Sequence, residues 1–259
     1  MTETQRAAHS SLIDIAQLSE SEQAAMFALY QRHFDGTDRA RFAADLSDKS
    51  QVLLIHDEHG VLRGFSTIAV YRRIFEGTPL RVLFSGDTVV DEDSWGQQAL
   101  AFAFIRLAGT LQAESNEPMY WLLISKGHRT YRYLSAFSID FDPSAQHPTA
   151  PERQRLMDFL AHDRFGSAYD AQRGVIRYAQ SQGHLRADLA EVPAIHAHLP
   201  EVAFFLERNP GYARGEELVC LCPIFADNLR PMARRAFVGA QRAVRLNAIA
   251  HAPNIAVLP

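Results

Sequence analysis

Apolar residues recur along this chain with two periods. Some stretches repeat every second residue and others every third or fourth, and the switches between them mark the elements. Ser11 to Leu18 (SLIDIAQL) alternates and predicts a first strand. Ser19 with Glu22 has the spacing of a capping box, and the stripe Met26, Phe27, Tyr30 and Phe34 predicts a helix ending near Gly36. A second helix is expected over Arg39 to Leu46. Gln51 to His56 and Val61 to Ile74 read as a hairpin around Asp57-Glu58-His59-Gly60, with a bulge at Gly64 in the long return strand. After a turn at Glu76 to Pro79, Leu80 to Val90 completes a three-strand meander.

The next stretch carries the strongest signal. The strand ends in an acidic loop, Asp91-Glu92-Asp93-Ser94, and a helix is expected from Gly96 to Leu111, with Leu100, Ala103, Phe104, Leu107 and Leu111 on one face. Ser94 is the expected N-cap. A strand feeding a helix through a short polar turn gathers free N–H groups at one spot, which suits an anion and phosphate in particular. Met119 to Ile124 (MYWLLI) reads as a central strand covered on both faces. Lys126-Gly127-His128-Arg129 breaks it, and Thr130 to Phe137 is a short helix.

Phe141 to Pro151 is Pro-rich and marks a boundary or a long surface loop. Beyond it the pattern predicts a helix over Glu152 to Phe165, a strand over Gly174 to Tyr178, and helix over Leu185 to Leu199 with a break at Pro193. Strands are expected at Val202 to Leu206 and Glu217 to Ile224, separated by a turn at Asn209-Pro210-Gly211. A helix over Asp227 to Leu246 carries many arginines.

Composition narrows the function classes. The 259 residues are 47% hydrophobic and 22% charged with a net charge of -4, an ordinary globular balance without the basic field that nucleic acid binding needs. No apolar run is long enough to span a bilayer, and MTETQRAAHSS lacks a signal pattern, so a cytoplasmic protein with reduced thiols is expected. Cys220 and Cys222 share one strand face without a second ligand pair, and the eleven histidines are scattered, so no metal is expected.

The element order over about Leu12 to Phe137 resembles the GNAT superfamily, the Gcn5-related N-acyltransferases. There the fourth strand runs into a pyrophosphate-binding turn, usually Arg-Gly-x-Gly-x-Gly, at the start of a central helix. The matching stretch is Trp95-Gly96-Gln97-Gln98-Ala99-Leu100. Gly96 is kept, Trp95 stands for the Arg, and Gln98 and Leu100 stand for the second and third Gly. These changes narrow the backbone's approach to a diphosphate and remove a charged contact. The implied fold is α/β (α+β), a GNAT-like mixed central sheet with helices on both faces. One domain would span residues 1–259, with a core at about 11–140 and a C-terminal extension at about 150–259.

The resemblance implies transfer of an acyl group from a thioester to the amine of a small molecule. The co-substrate is acyl-CoA, or acyl-phosphopantetheine on an acyl carrier protein, as in relatives that make N-acyl amino acids. Neither is held permanently, and a homodimer is compatible. Backbone donors at Val89 and Val90 would polarise the thioester carbonyl, and the amides of Trp95, Gly96, Gln97, Gln98 and Ala99 would hold phosphate. His128 and Arg129 either contact phosphate or pantetheine or form a solvated basic turn.

A lone carboxylate in an apolar strand is costly without a partner. Asp87 is therefore either the base that takes the amine's proton, or an acid paired with Arg72 or Arg73, or one placed at a bulge by Gly86. Tyr133, and second Tyr131, is the implied acid for the leaving thiolate, against a packing role for each. Phe204 and Phe205 either line an acyl tunnel or pack the core. Arg230, Arg234, Arg235, Arg242 and Arg245 are a solvated face or a dock for an acidic carrier. The alternative to an enzyme is a catalytically inactive GNAT-like protein that binds a ligand or partner.

Overall fold

The structure is a computed structural model that describes residues 9–180 and 182–250. Its strands are β1 (His9–Asp14), β2 (Phe34–Asp35), β3 (Gln51–His56), β4 (Leu62–Phe75), β5 (Thr78–Val90), β6 (Met119–Ser125), β7 (Tyr169–Asp170), β8 (Val175–Ile176), β9 (His184–Leu185) and β10 (Glu217–Pro223). Its helices are α1 (Glu20–Gln31), α2 (Arg39–Ser47), α3 (Ala99–Ala113), α4 (His128–Phe137), α5 (Pro151–Phe165), α6 (Ala187–Ala190), α7 (Ala194–Ala197), α8 (Pro200–Arg208) and α9 (Pro231–Ala250). Eight strands form one sheet in the order β1-β3-β4-β5-β6-β10-β8-β7, and β2 pairs with β9 apart from it. The β5–β6 pairing is parallel and the other neighbours in the sheet are antiparallel. This is the mixed α/β sheet, extended by the C-terminal strands, that the element order implied.

The alternation along each strand explains the layers. Leu53, Ile55 and Leu83 join the core beneath α3, α4 and α9. Val52 and Leu54 face α1 and α2, while Val82 and Phe84 face α5 on the same side of the sheet. Helices thus cover both faces, as a two-sided apolar sheet requires. Gly109 lets α9 lie directly on α3, because a Cβ there would stand 2.3 Å from the Phe237 carbonyl oxygen.

Two irregularities in the meander position the site. Ile55 pairs with Gly64 and His56 with Leu62, so Arg63 is the extra residue of a bulge beside the expected Gly64. Ser66 pairs with Thr88 and Ile68 with Ser85, so Gly86 and Asp87 together oppose Thr67. Gly86 is required there, since a Cβ would fall 2.6 Å from Thr67 Oγ1 and 2.8 Å from Lys49 Cε. The parallel β5–β6 register then stops at Ser85 and Leu123, although both strands continue. Past that point they splay.

Several expected elements differ. Val202 to Leu206 is not a strand but part of α8, started by Pro200; Val202 and Phe205, three apart, both turn inward. The first strand stops at Asp14 and a 3-10 turn follows over Ile15–Gln17. Phe34 leaves α1 and enters β2. Only Val175–Ile176 of the expected Gly174 to Tyr178 strand pairs. The helix at Leu185 to Leu199 resolves into α6 and α7, with Pro193 capping the second.

The largest change is at the central helix. It begins at Ala99, not Gly96, and Ser94 is not its N-cap. Glu92–Ser94 form a 3-10 turn capped by Asp91, and Gln98 enters α3 at φ 39° without a side-chain cap. Residues 138–250 add β10, β8 and β7 to the same sheet, and the Pro-rich loop is fastened to it through paired Asp142 and Leu221 hydrogen bonds of 2.9 and 2.7 Å.

Candidate functional site

The splay of β5 from β6 opens a cavity of about 680 Å³ under the start of α3. Its walls are Val89 and Val90 of β5, Trp95 to Ala101 of the turn and helix, and Lys126, Gly127, Arg129, Thr130 and Tyr133 of the β6–α4 segment. The first amides of α3 are unpaired by the geometry of any helix start, with Phe102 N–H to the Gln98 carbonyl as the first ladder bond at 3.0 Å. The Asp91 N–H donates to the Arg63 carbonyl of β4 at 2.7 Å. By strand alternation Val89 faces β4 as well, while the Val90 amide points the other way, into the splay. The Val90 carbonyl accepts from Trp95 Nε1 at 2.9 Å and contacts His33 Nε2 at 3.0 Å.

The first acid of the turn is neutralised, while Glu92 and Asp93 stay exposed. Asp91 is buried, 2.8 Å from Arg32 and 3.4 Å from Arg63. Burial opposes its charge, but those guanidiniums and the Asp93 amide outweigh it and hold the carboxyl below its ordinary range. The Arg129 guanidinium lies 4.6 Å from the Trp95 ring centre and donates to the Leu189 carbonyl at 2.7 Å.

Asp87 lies on a second cavity of about 290 Å³, on the α1–α2–α5 side of the splay. The two cavities share Phe34, Thr88, Lys126 and Thr130. Neither arginine considered for Asp87 reaches it, because Arg72 pairs with Glu117 and Arg73 with Asp163. The bulge by Gly86 is where it sits, and its side chain makes no hydrogen bond or ion pair among the described residues. Its pKa is pushed up to about 7, first by burial and then by Asp45, against the pull of Lys126 and Lys49. Lys126 forms a buried pair with Glu217 at 3.6 Å, their side chains 11% and 9% exposed. Burial works against the Lys126 ammonium, but Glu217 and the neighbouring acids keep it protonated.

The remaining candidates separate. Tyr133 lines the first cavity and also a small apolar recess of about 30 Å³ beneath α3, bounded by Leu100, Phe104, Trp121 and Phe137. Burial raises the Tyr133 hydroxyl's pKa. Tyr131 does not face the cavities. It is fully buried among Phe141, Phe204 and Phe205, and donates to the Pro143 carbonyl at 2.8 Å. His128 is 1% exposed, lies off the cavity wall, and is pushed down to about 4 by burial and then Arg129, so it is neutral at pH 7 and offers phosphate no charge.

Phe204 and Phe205 pack against Tyr131 and line neither cavity. Cys220 and Cys222 are buried free thiols, both pushed up by burial. Arg230, Arg234, Arg235, Arg242 and Arg245 are all exposed. Among the described residues no cluster of three or more His, Cys, Asp or Glu could hold a metal, and no helix is long and apolar enough to cross a membrane.

Sequence reasoning missed Thr88, Thr130, Lys126 and Glu217. The available signal for the last two was a charge at the edge of an apolar strand, Lys126 just after β6 and Glu217 at the start of β10.

Comparison with descriptions of known protein families and with curated proteins finds no match. Solved structures do match over part of the chain. A probable N-acyltransferase of Enterococcus faecalis V583 aligns with 15% identity and a TM-score of 0.37, over 51% of this chain and 33% of its own. The GNAT family N-acetyltransferase YhbS of Escherichia coli, in complex with CoA, aligns with 17% identity and a TM-score of 0.36, over 52% of this chain and 72% of its own. The ribosomal-protein-S18-alanine N-acetyltransferase of Escherichia coli gives 12% identity and a TM-score of 0.36, over 55% of this chain and 86% of its own.

Proposed function

We propose that this protein moves an acyl group from a thioester donor to the amine of a small molecule by direct attack. The observation that carries the reading is the meeting of two unlike cavities at the β5–β6 splay. One is walled by the free amides of a 15-residue helix, and the other holds a half-buried carboxylate without a partner.

The first cavity suits the donor. The amides from Gln98 to Ala101, with Arg129 beside them, would take a phosphate of CoA or of carrier-bound phosphopantetheine. The Val90 N–H would polarise the thioester carbonyl where charge develops. The apolar recess would take the end of the acyl group. At about 10–15 Å³ for each water-sized group, its volume of about 30 Å³ supports a short acyl chain.

The second cavity suits the acceptor. Asp87 would remove the amine's proton, directly or through water, and a base with a pKa near the working pH suits that task. The amine nitrogen bonds to the carbonyl carbon, the tetrahedral intermediate collapses, and the C–S bond breaks. Tyr133 would give its proton to the departing thiolate.

The test is mass spectrometry of the purified protein incubated with an acyl-CoA series, acyl carrier proteins and pooled amines. An acylated amine that requires the protein is the expected result. No acylated product, together with no protection against unfolding by CoA or pantetheine, would instead identify an inactive binding protein.

A further inference from the structure

The second cavity says more about its occupant than that it is an amine. Most of its charges are already satisfied by one another. Lys49 Nζ is 2.9 Å from Asp45 and 3.7 Å from Asp48, and Arg164 is 2.5 Å from Asp48. Two charges are not satisfied in this way. The Asp87 carboxylate has no hydrogen bond or ion pair among the described residues. The Lys126 ammonium, with three donors, has one ion-pair partner among the described residues, Glu217 at 3.6 Å, and lies 5.4 Å from the centre of the Phe34 ring, which leaves donors for an oxygen acceptor.

Asp87 and Lys126 act on each other electrostatically yet stand beyond ion-pair distance, and both line the same cavity. A carboxylate and an ammonium that face one space without touching are completed by a molecule carrying the opposite charges close together. A simple amine would pair Asp87 and leave Lys126 short of acceptors. A polyamine would also meet Lys49 and Arg164. A dianion would meet Asp45, Asp48 and Glu217. A zwitterion leaves the balance unchanged and fills both positions.

Resting on the transferase reading, we propose that the second cavity is an acceptor site for an α-amino acid, its ammonium on Asp87 and its carboxylate on Lys126. Lys126 and Thr88, the neighbour of Asp87, belong to both cavities, so an α-amine bound this way sits at the junction. The volume of about 290 Å³ lies at the lower end of small-molecule sites. The rings of Phe42, Phe165 and Tyr178 offer apolar wall to a side chain.

After transfer the amine is an uncharged amide, so the product loses its attraction to Asp87. Lys126 is then a specificity residue, and Glu217 positions its ammonium.

Phenylalanine and phenethylamine differ by the carboxylate alone and form the test pair. With an acyl-CoA donor, kcat/KM for phenylalanine is expected to exceed that for phenethylamine by about 10- to 100-fold. Lys126→Met should remove the preference, and Lys126→Arg should keep part of it. Equal rates for the two amines, or a preference that survives Lys126→Met, overturns the proposal.

Calorimetric titration without a donor separates this inference from the transferase reading. Phenylalanine is expected to bind and phenethylamine to bind at least about tenfold more weakly. If turnover is absent but this contrast holds, the acceptor site stands and the transferase reading falls. If amines are acylated but amino acids neither bind nor react, the reverse is true. Because Lys126→Met leaves Glu217 unpaired, the double variant Lys126→Met/Glu217→Gln is measured beside it, with folding checked by circular dichroism.

Discussion

The Arg129 guanidinium stacks 4.6 Å from the centre of the Trp95 ring and joins the start of α4 to the turn that leads into α3. Both side chains line the first cavity. The aromatic ring belongs to the turn and the cation to the facing helix. Arg129 thereby lines the same cavity as the first residues of α3.

That contact can be measured without knowing the substrate. A double-mutant cycle of Trp95→Ala and Arg129→Ala in urea unfolding should give a coupling of about 0.5–1 kcal/mol, the usual range for an exposed cation–π pair. If the turn is the donor site, Arg129→Ala should also reduce the thermal protection given by CoA, and Trp95→Ala should reduce it less.

Asp87 links stability to activity in opposite directions. Its pKa rises from 3.8 to about 7 on folding. The folded state therefore favours the protonated form, and stability is lost as pH rises through the window from about 4 to about 7. Asp87→Asn removes that loss and should stabilise the protein at pH 8 by on the order of 1–3 kcal/mol, with little change at pH 3.5. The same variant should lose transfer activity, and the wild-type rate should rise with pH through about 7. A variant with unchanged stability at pH 8, or with an intact rate, would show that Asp87 is neither strained nor the base.

The two tyrosines of α4 should part company. Tyr131→Phe leaves the Pro143 carbonyl without its donor in the core, so a loss of about 1–2 kcal/mol in unfolding free energy is expected. The Tyr133 hydroxyl makes no such internal bond among the described residues, so Tyr133→Phe should melt like the wild type. If Tyr133 protonates the thiolate, its loss should lower kcat by about 100-fold or more. A thermal melt and a steady-state assay on both variants check the contrast.

Gly109 tests the packing that supports the central helix. Its missing Cβ would press on the backbone of Phe237, and backbone does not yield as a flexible side chain does. Gly109→Ala should cost about 3 kcal/mol through displacement of α9, despite the higher helix propensity of alanine. A stabilised variant in denaturant unfolding would contradict the observed α3–α9 contact.

Much of the fold was legible in the sequence because local patterns fixed it. Alternation marked the meander from Gln51 to Val90, the Ser19–Glu22 capping box placed the start of α1, and the continuous apolar run Met119 to Ile124 announced a central strand. Val202 to Leu206 was misread because a five-residue apolar run has no period of its own; Pro200 and the burial of Val202 with Phe205 decided for helix. The start of α3 was misread because Ser94 is a good cap in isolation. Burial of Asp91 against Arg32, 59 residues away, instead drew the chain into a 3-10 turn first.

The sequence by itself determined the element order, the strand–turn–helix that offers free amides, and the anomaly of a carboxylate at Asp87. Each is a property of neighbours in the chain. Only the tertiary structure decided which groups share a space. It set Tyr133 on a cavity and Tyr131 in the core, two residues apart on one helix. It brought Lys126 to Glu217 across 91 positions and left Asp87 facing Lys126 without contact. Those relations depend on where β5 and β6 stop pairing, and that point is set by the Gly86–Asp87 bulge and by long-range packing that no local pattern records.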